Sequence, residues 1–201
     1  MKYKKTKLIL PEGEFENELL FFDKSDKKVL KKYFKDWVQL SRDTVEKIGG
    51  TRTPNLSESF TEAVFSIEMS VGRCIKSISG SSSSFDHYDP KTNKRIQLKG
   101  ASSYGPSSFG PRSQYDEIYL IFFRNIADEK EKKIKKKKYS GKFEIYKLNP
   151  NDFPNIIVNE KKNETFKDQQ KAGKRPRFSI PKKIIDPKGL KPIRKGDIDK
   201  W

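Results

Sequence analysis

The chain has 201 residues, with 44 Lys and Arg against 27 Asp and Glu for a formal net charge of +17, and 33% hydrophobic residues that include 14 Phe, 8 Tyr and 2 Trp. That length supports one core and leaves little for a second full domain, the aromatic content argues against general disorder, and so basic a surface calls for a polyanion, nucleic acid before an anionic membrane. One cysteine, Cys74, excludes an internal disulfide framework and points to a reducing compartment, and one histidine, His87, excludes a His-based zinc cluster within one chain. In chain order, residues 7–10 and 15–22 read as two strands around a Pro11-Glu12-Gly13 turn. The apolar run Leu8-Ile9-Leu10 is too short for a signal sequence, and no stretch of 18 apolar residues follows, so a soluble, intracellular protein is expected. A helix is predicted from residue 26 to about 48, with Val29, Tyr33, Trp37, Leu40 and Thr44 near helical spacing and Gly49-Gly50 as its stop.

A second helix is predicted from about residue 56 to 78, where Phe60, Val64, Ile67, Val71 and Ile75 form a buried stripe. Asn55 followed by Glu58 matches a capping box, which gives Glu58 a structural task. Glu62 lies opposite the stripe, where a helix either meets solvent or turns a carboxylate toward a cleft. Cys74, inside the stripe, reads as a core residue, and the serine run 81–84 as a flexible linker.

The stretch from Phe85 to Ala101 reads as a hairpin: a short strand ending in an acid, a turn around Asp89-Pro90 and Thr92-Asn93, and a second strand. Residues two apart in a strand share a face, so Gln97 and Lys99 look one way and Ile96 and Leu98 the other. If the hairpin closes, the polar pair lies beside the carboxylate of Asp86. An acid, about ten residues, then X-x-Lys resembles the arrangement of the PD-(D/E)XK nucleases, and its chemistry needs these types. A carboxylate, here Asp86, holds Mg²⁺, with the backbone carbonyl of Leu98 as a second oxygen; a lysine, here Lys99, orients the attacking water and stabilises the phosphate. Gln97 departs from the usual Glu or Asp of that position, and joins Asp86 at the metal through an amide oxygen that can coordinate the ion but brings no charge. An ordinary solvated hairpin carries the same spacing. His87 falls on the opposite face from Asp86 and reads as structural.

Residues 101–116 are small, hydroxyl-bearing and Gly/Pro-rich, a loop that offers Ser108, Arg112 and Gln114 to phosphates or base edges. Residues 117–123 are an apolar strand of the central sheet; 128–138 are a charge-dense insertion; 142–148 are a strand with Phe143 and Ile145 on one face and Glu144, Tyr146 and Leu148 on the other. A short last strand is expected at 156–158. Between residues 163 and 180, Gln169, Gln170, Lys174, Arg175 and Arg177 form a dense donor set suited to adenine and guanine edges, or to phosphates without sequence preference. The Pro- and Lys-rich tail, 181–201, is expected to wrap the surface.

Taken together, residues 57–63, the hairpin from Asp86 to Lys99, Ser108-Phe109-Gly110-Pro111, and the segment from Glu164 to Ile180 resemble the small type II restriction endonucleases that cut the interrupted palindrome GCNGC. The hairpin is similar to that of the PvuII-like branch of the fold. The resemblance implies an α+β restriction-endonuclease-like architecture, a mixed β-sheet flanked by helices. It implies one nuclease domain over 1–201, with an N-terminal hairpin and helix (1–50), a catalytic core (51–158) and a DNA-recognition segment and tail (159–201). It further implies Mg²⁺, double-stranded DNA, a homodimer, a supporting glutamate from the helix before the hairpin, Glu62 ahead of Glu58, and a methyltransferase that protects host DNA. Two other readings stay open: a repair or recombination nuclease without strict sequence choice, and a non-catalytic basic binding protein.

Overall fold

The computed structural model describes residues 1–50, 54–76, 85–111, 113–123 and 140–201. Along the chain lie β1 (Lys2–Leu10), β2 (Gly13–Phe21), α1 (Lys27–Glu46), α2 (Glu58–Met69), β3 (Gly72–Cys74), β4 (His87–Asp89), β5 (Lys94–Ala101), β6 (Ser107–Ser108), β7 (Glu117–Phe123), β8 (Lys142–Leu148), β9 (Ile157–Asn159), β10 (Glu164–Thr165), α3 (Phe166–Lys171), β11 (Arg177–Phe178) and β12 (Arg194–Asp197). Eight strands form one mixed sheet in the order β1-β2-β3-β4-β5-β7-β8-β12. Its pairs are antiparallel apart from β5 with β7, which run parallel. This is the mixed sheet flanked by helices that the sequence predicts. A parallel pair needs a crossover longer than a hairpin turn, and residues 102–116 supply it; Arg95 clamps its far end through Nε and Nη2 to the two carboxylate oxygens of Asp116, at 3.1 and 2.9 Å.

Alternation along the central strands divides the apolar residues between two cores. On one face Leu98, Tyr119, Ile121, Phe123, Phe143 and Ile145 meet Leu30, Phe34 and Trp37 of α1 and Phe60, Val64 and Phe65 of α2. On the other, Ile118, Leu120, Phe122, Tyr146 and Leu148 meet Phe109, Phe153, Phe166, Phe178, Ile184 and Ile185. Strand β7, covered on both faces, is accordingly a continuous apolar run.

Several expectations are corrected here. The buried face of α1 is Leu30, Phe34, Trp37, Ser41 and Val45, one residue round from the predicted stripe, and Val29, Tyr33 and Leu40 are exposed. Ser41, polar yet fully buried, hid the true stripe. Helix α2 ends at Met69, where Ser70 turns left-handed (φ 58°), and β3 occupies the stretch read as its continuation. Its N-cap is Ser57, whose hydroxyl accepts from Phe60 N, and not Asn55. The crossover is not all loop, since β6 pairs with β11. Strand β9 pairs with β10 and not with the central sheet. The tail does not wrap the surface: a π-helical turn at Pro181–Ile185 buries Ile184 and Ile185, β12 extends the sheet beside β8, and Ile198 is fully buried in the first core. The serine run 81–84 and the insertion 128–138 lie outside the described residues.

Candidate active site

Asp86 stands immediately before β4, a strand that ends in an acid, Asp89, as the sequence predicts. The Asp86 backbone is held from both sides, by Cys74 N donating to its carbonyl (2.8 Å) and by its own N–H donating to Ile96 O (3.0 Å). The register pairs His87 with Ile96, so one step further Asp86 stands opposite Gln97. The Gln97 amide donates to Asp86 Oδ2, and the Leu98 N–H donates to the same oxygen at 2.7 Å. In an extended strand a residue's N–H and C=O leave on the same edge, so the Leu98 carbonyl faces the Asp86 side as well. Burial pushes the Asp86 carboxyl above its ordinary range, against the opposing Leu98 hydrogen bond and the charge of Lys99.

Lys99 follows Gln97 on the same face, half-buried, with Nζ 5.3 Å from the centre of the Phe109 ring. Burial lowers its pKa; the charges of Asp86 and Glu58 resist this, and Arg175 adds to it. Asp86, Gln97 and Lys99 are thus brought together. Arg175, predicted only as a nucleic-acid contact, is near enough to act on the lysine.

Glu62 is tied back. Its carboxylate accepts from Arg73 Nε of β3, while Arg73 Nη2 reaches Ser59 Oγ at 3.2 Å. Burial, only partly offset by Arg73 and reinforced by the charge of Asp86, raises the Glu62 pKa to about 7. His87 fixes the same turn of α2: its Nε2 donates to the Glu62 carbonyl oxygen (3.0 Å), and its ring meets Phe65 edge-on. Full burial pushes its pKa down to about 3, so the ring is neutral and structural, as expected. Gly100 lets α2 approach, because a Cβ there would lie 2.7 Å from Thr61 Oγ1. Glu58, free of the predicted capping task, acts through its charge on Asp86, Lys99 and Glu62. The sequence reading missed Arg73 because it fell inside the overlong helix; Gly72 was the signal that could have broken that helix earlier.

The donor set divides. Gln169, Lys174, Arg175 and Arg177 line a cleft of about 700 Å³, joined by Lys161 and Lys183, which had not been singled out. Gln169 Nε2 donates to Glu164 Oε2 (3.0 Å), and Lys174 pairs with the same carboxylate at 3.6 Å, so two of these side chains have partners within the chain. Arg175 and Arg177 are exposed. Ser108 sits in β6 opposite Arg177; Gln114 is exposed and Gln170 half-buried, and neither lines the cleft. Arg112 lies outside the described residues.

Among the described residues no group of three or more His, Cys, Asp or Glu side chains could hold a metal ion, and no helix is long and apolar enough to cross a membrane. The groups gathered at the hairpin are the Asp86 carboxylate, the side-chain amide of Gln97 and the facing carbonyl of Leu98.

Comparison with known proteins adds to this geometry. The family profile described as Bsp6I restriction endonuclease matches residues 22–187, a span that takes in α1 and every candidate residue above. The chain is 32% identical over 117 residues to the type II restriction enzyme Bsp6I of Bacillus sp. (strain RFL6), and the alignment covers 56% of this chain and 59% of that enzyme. No solved structure matches.

Proposed function

The chain belongs to the Bsp6I restriction endonuclease family, and from that premise we propose that it is a type II restriction endonuclease that cuts both strands of duplex DNA at a short interrupted palindrome, GCNGC, with Mg²⁺. The observation that carries the reading is the shared face of Asp86 and Lys99, each of which perturbs the ionisation of the other. Residues 1–50, 51–158 and 159–201 act in it as one nuclease domain, working in the bacterial cytoplasm beside a methyltransferase of the same specificity.

Asp86 and the Leu98 carbonyl would hold the metal. Mg²⁺ accepts one or two carboxylates and otherwise keeps waters and substrate phosphate oxygens, so a hard-oxygen set this sparse fits it. When bound, the ion supplies charge neutralisation at the phosphate and a more acidic water. The remaining work falls to the chain. Gln97 donates to Asp86 and fixes the rotation of its carboxylate. Lys99, with its ammonium destabilised by burial, places a proton-bearing Nζ beside the scissile phosphate, where it orients the attacking water and meets charge as it develops. Glu62, titrating near neutrality, supports the site as a nearby carboxylate.

Recognition is assigned to the basic cleft. Arg offers guanine a two-pronged donor, which suits the exposed Arg175 and Arg177 to a G-containing half-site, while Ser108, Arg112, Gln114 and Gln170 reach phosphates or base edges around it. A palindrome read by so small a subunit calls for a homodimer that presents the same donors to each half. The test is a plasmid digest with and without MgCl₂, beside Lys99→Ala. Discrete Mg²⁺-dependent fragments ending at GCNGC are expected, with the variant binding DNA but leaving it whole. A smear, or retardation without cutting, would refute the assignment.

A further inference from the structure

Lys99 has a long side chain, and its amine has to be held at one place to serve a single phosphate. Under it lies the face of Phe109, a ring only 2% exposed, and an aromatic face attracts a cation. Phe109 is in turn gripped by a distant segment. Its N–H donates to Pro176 O at 3.0 Å, and its ring lies flat on Phe178, with centroids 5.1 Å apart and planes 4° from parallel. Phe166 and Phe153 close on its edges at 5.2 and 5.5 Å. Pro176 and Phe178 alternate with Arg175 and Arg177, which point into the basic cleft. The backbone that presents the two arginines therefore also supports the ring that carries the lysine.

We propose that Phe109 is a positioning residue for Lys99, through which the arginine-bearing segment sets where the lysine amine stands. The proposal rests on the nuclease reading of Lys99. A displacement of β11 by DNA moves the Phe178 ring, the Phe109 ring stacked on it moves with it, and the amine follows the ring face. Recognition and bond cleavage are joined by contact rather than by the metal.

The test uses the full chain. Phe109→Leu keeps an apolar side chain but removes the ring; Phe109→Tyr keeps the ring. The ε-methylene protons of Lys99, lying over a ring face, should resonate upfield of those of exposed lysines in the free protein. Phe109→Leu is expected to return them to the exposed-lysine position and to slow single-turnover cleavage about tenfold with little change in KM for duplex DNA, while Phe109→Tyr restores both. Phe178→Leu should move the same protons part of the way. An ordinary lysine shift in the unaltered chain, cleavage by Phe109→Leu at the unaltered rate, or a change confined to KM would overturn the proposal. Should Phe109→Leu not fold, an unmoved Lys99 signal in Phe178→Leu overturns it equally. Failure of the unaltered chain to cut DNA at all would count against the nuclease reading instead, and the proton shift then decides the positioning claim alone.

Discussion

The side-chain amide of Gln97 donates to Oδ2 of Asp86, the oxygen that also receives the Leu98 N–H. An amide thus occupies a place where a carboxylate would repel Asp86 unless a cation lay between them. Replacing it tests whether the hairpin is a cation site. Gln97→Glu should cost stability in EDTA, by about 1 kcal/mol as two buried carboxylates are forced together, and regain it in MgCl₂. The half-point of the Mg²⁺-dependent rise in melting temperature should fall about tenfold, since ligand charge tunes affinity. Equal Mg²⁺ dependence in both proteins would place residue 97 outside the metal's surroundings.

Glu62 gives a signed pH dependence. Its pKa is raised to about 7 from an ordinary 4.5, so the fold favours the protonated form, and this group's contribution to stability falls as pH rises through that window. Arg73 opposes the shift. Arg73→Met should therefore be close to the unaltered chain at pH 5 and about 1–2 kcal/mol less stable at pH 8, the exposed part of the pair, under a fifth of each side chain, screening the rest. His87, with its pKa lowered to about 3 chiefly by burial and to a smaller extent by the charge of Arg73, adds the opposite slope, stability growing with pH up to about 6.5; burial acts in both proteins, so the larger part of this slope cancels in the difference. Denaturant midpoints at the two pH values measure it. If ionised Glu62 supports cleavage, the rate should rise with a midpoint near pH 7 and move alkaline in Arg73→Met.

Helix α2 reaches the hairpin because β5 has no side chain at Gly100, where a Cβ would stand 2.7 Å from Thr61 Oγ1 and 2.9 Å from its Cγ2. Gly100→Ala should cost about 1–3 kcal/mol, a fall of several degrees in melting temperature. Adding Thr61→Ala removes those two contacts and should recover part of the loss. No loss in the single variant would mean that α2 and β5 have room to spare.

The end of the chain is a sheet strand and a core plug. Ile198 is fully buried in the first core, so Ile198→Ala should cost about 2–5 kcal/mol, while Lys200→Ala, exposed two residues on, should change stability by less than about 0.5 kcal/mol. Similar small effects of both in thermal unfolding would restore the view that the tail only covers the surface.

That last error shows where the sequence stops being informative. Alternation in a strand reports two faces directly, so residues 142–148 sorted as predicted, Phe143 and Ile145 into one core and Tyr146 and Leu148 into the other. The hairpin was legible for the same reason: turn residues set its bend, and period two put Gln97 and Lys99 together. Strand β3 was not, because three residues are too few for a period to register, and Val71 and Ile75 continued the helical one by coincidence; Arg73 was lost with it. The tail reads as Pro, Lys and charge, and Ile198 gives no pattern alone. Phe109, Phe153, Phe166 and Phe178 recur at no period, and only the folded chain shows them as one cluster of rings. Arg175 beside Lys99 belongs to the same class of fact, a meeting of segments distant in the chain.

On the recognition role proposed for residues 164–180, the two-residue ribbon of Ser107–Ser108 with Arg177–Phe178 has a further consequence, for how specificity could change over generations. A recognition element on a free loop could be exchanged like a cassette. Here a graft of residues 164–180 from a relative would bring its own register to a ribbon whose other half stays behind, and would set a foreign ring against Phe109. New target sequences should therefore be inherited with the crossover after β5, or else arise by single substitutions that leave Pro176 and Phe178 in place.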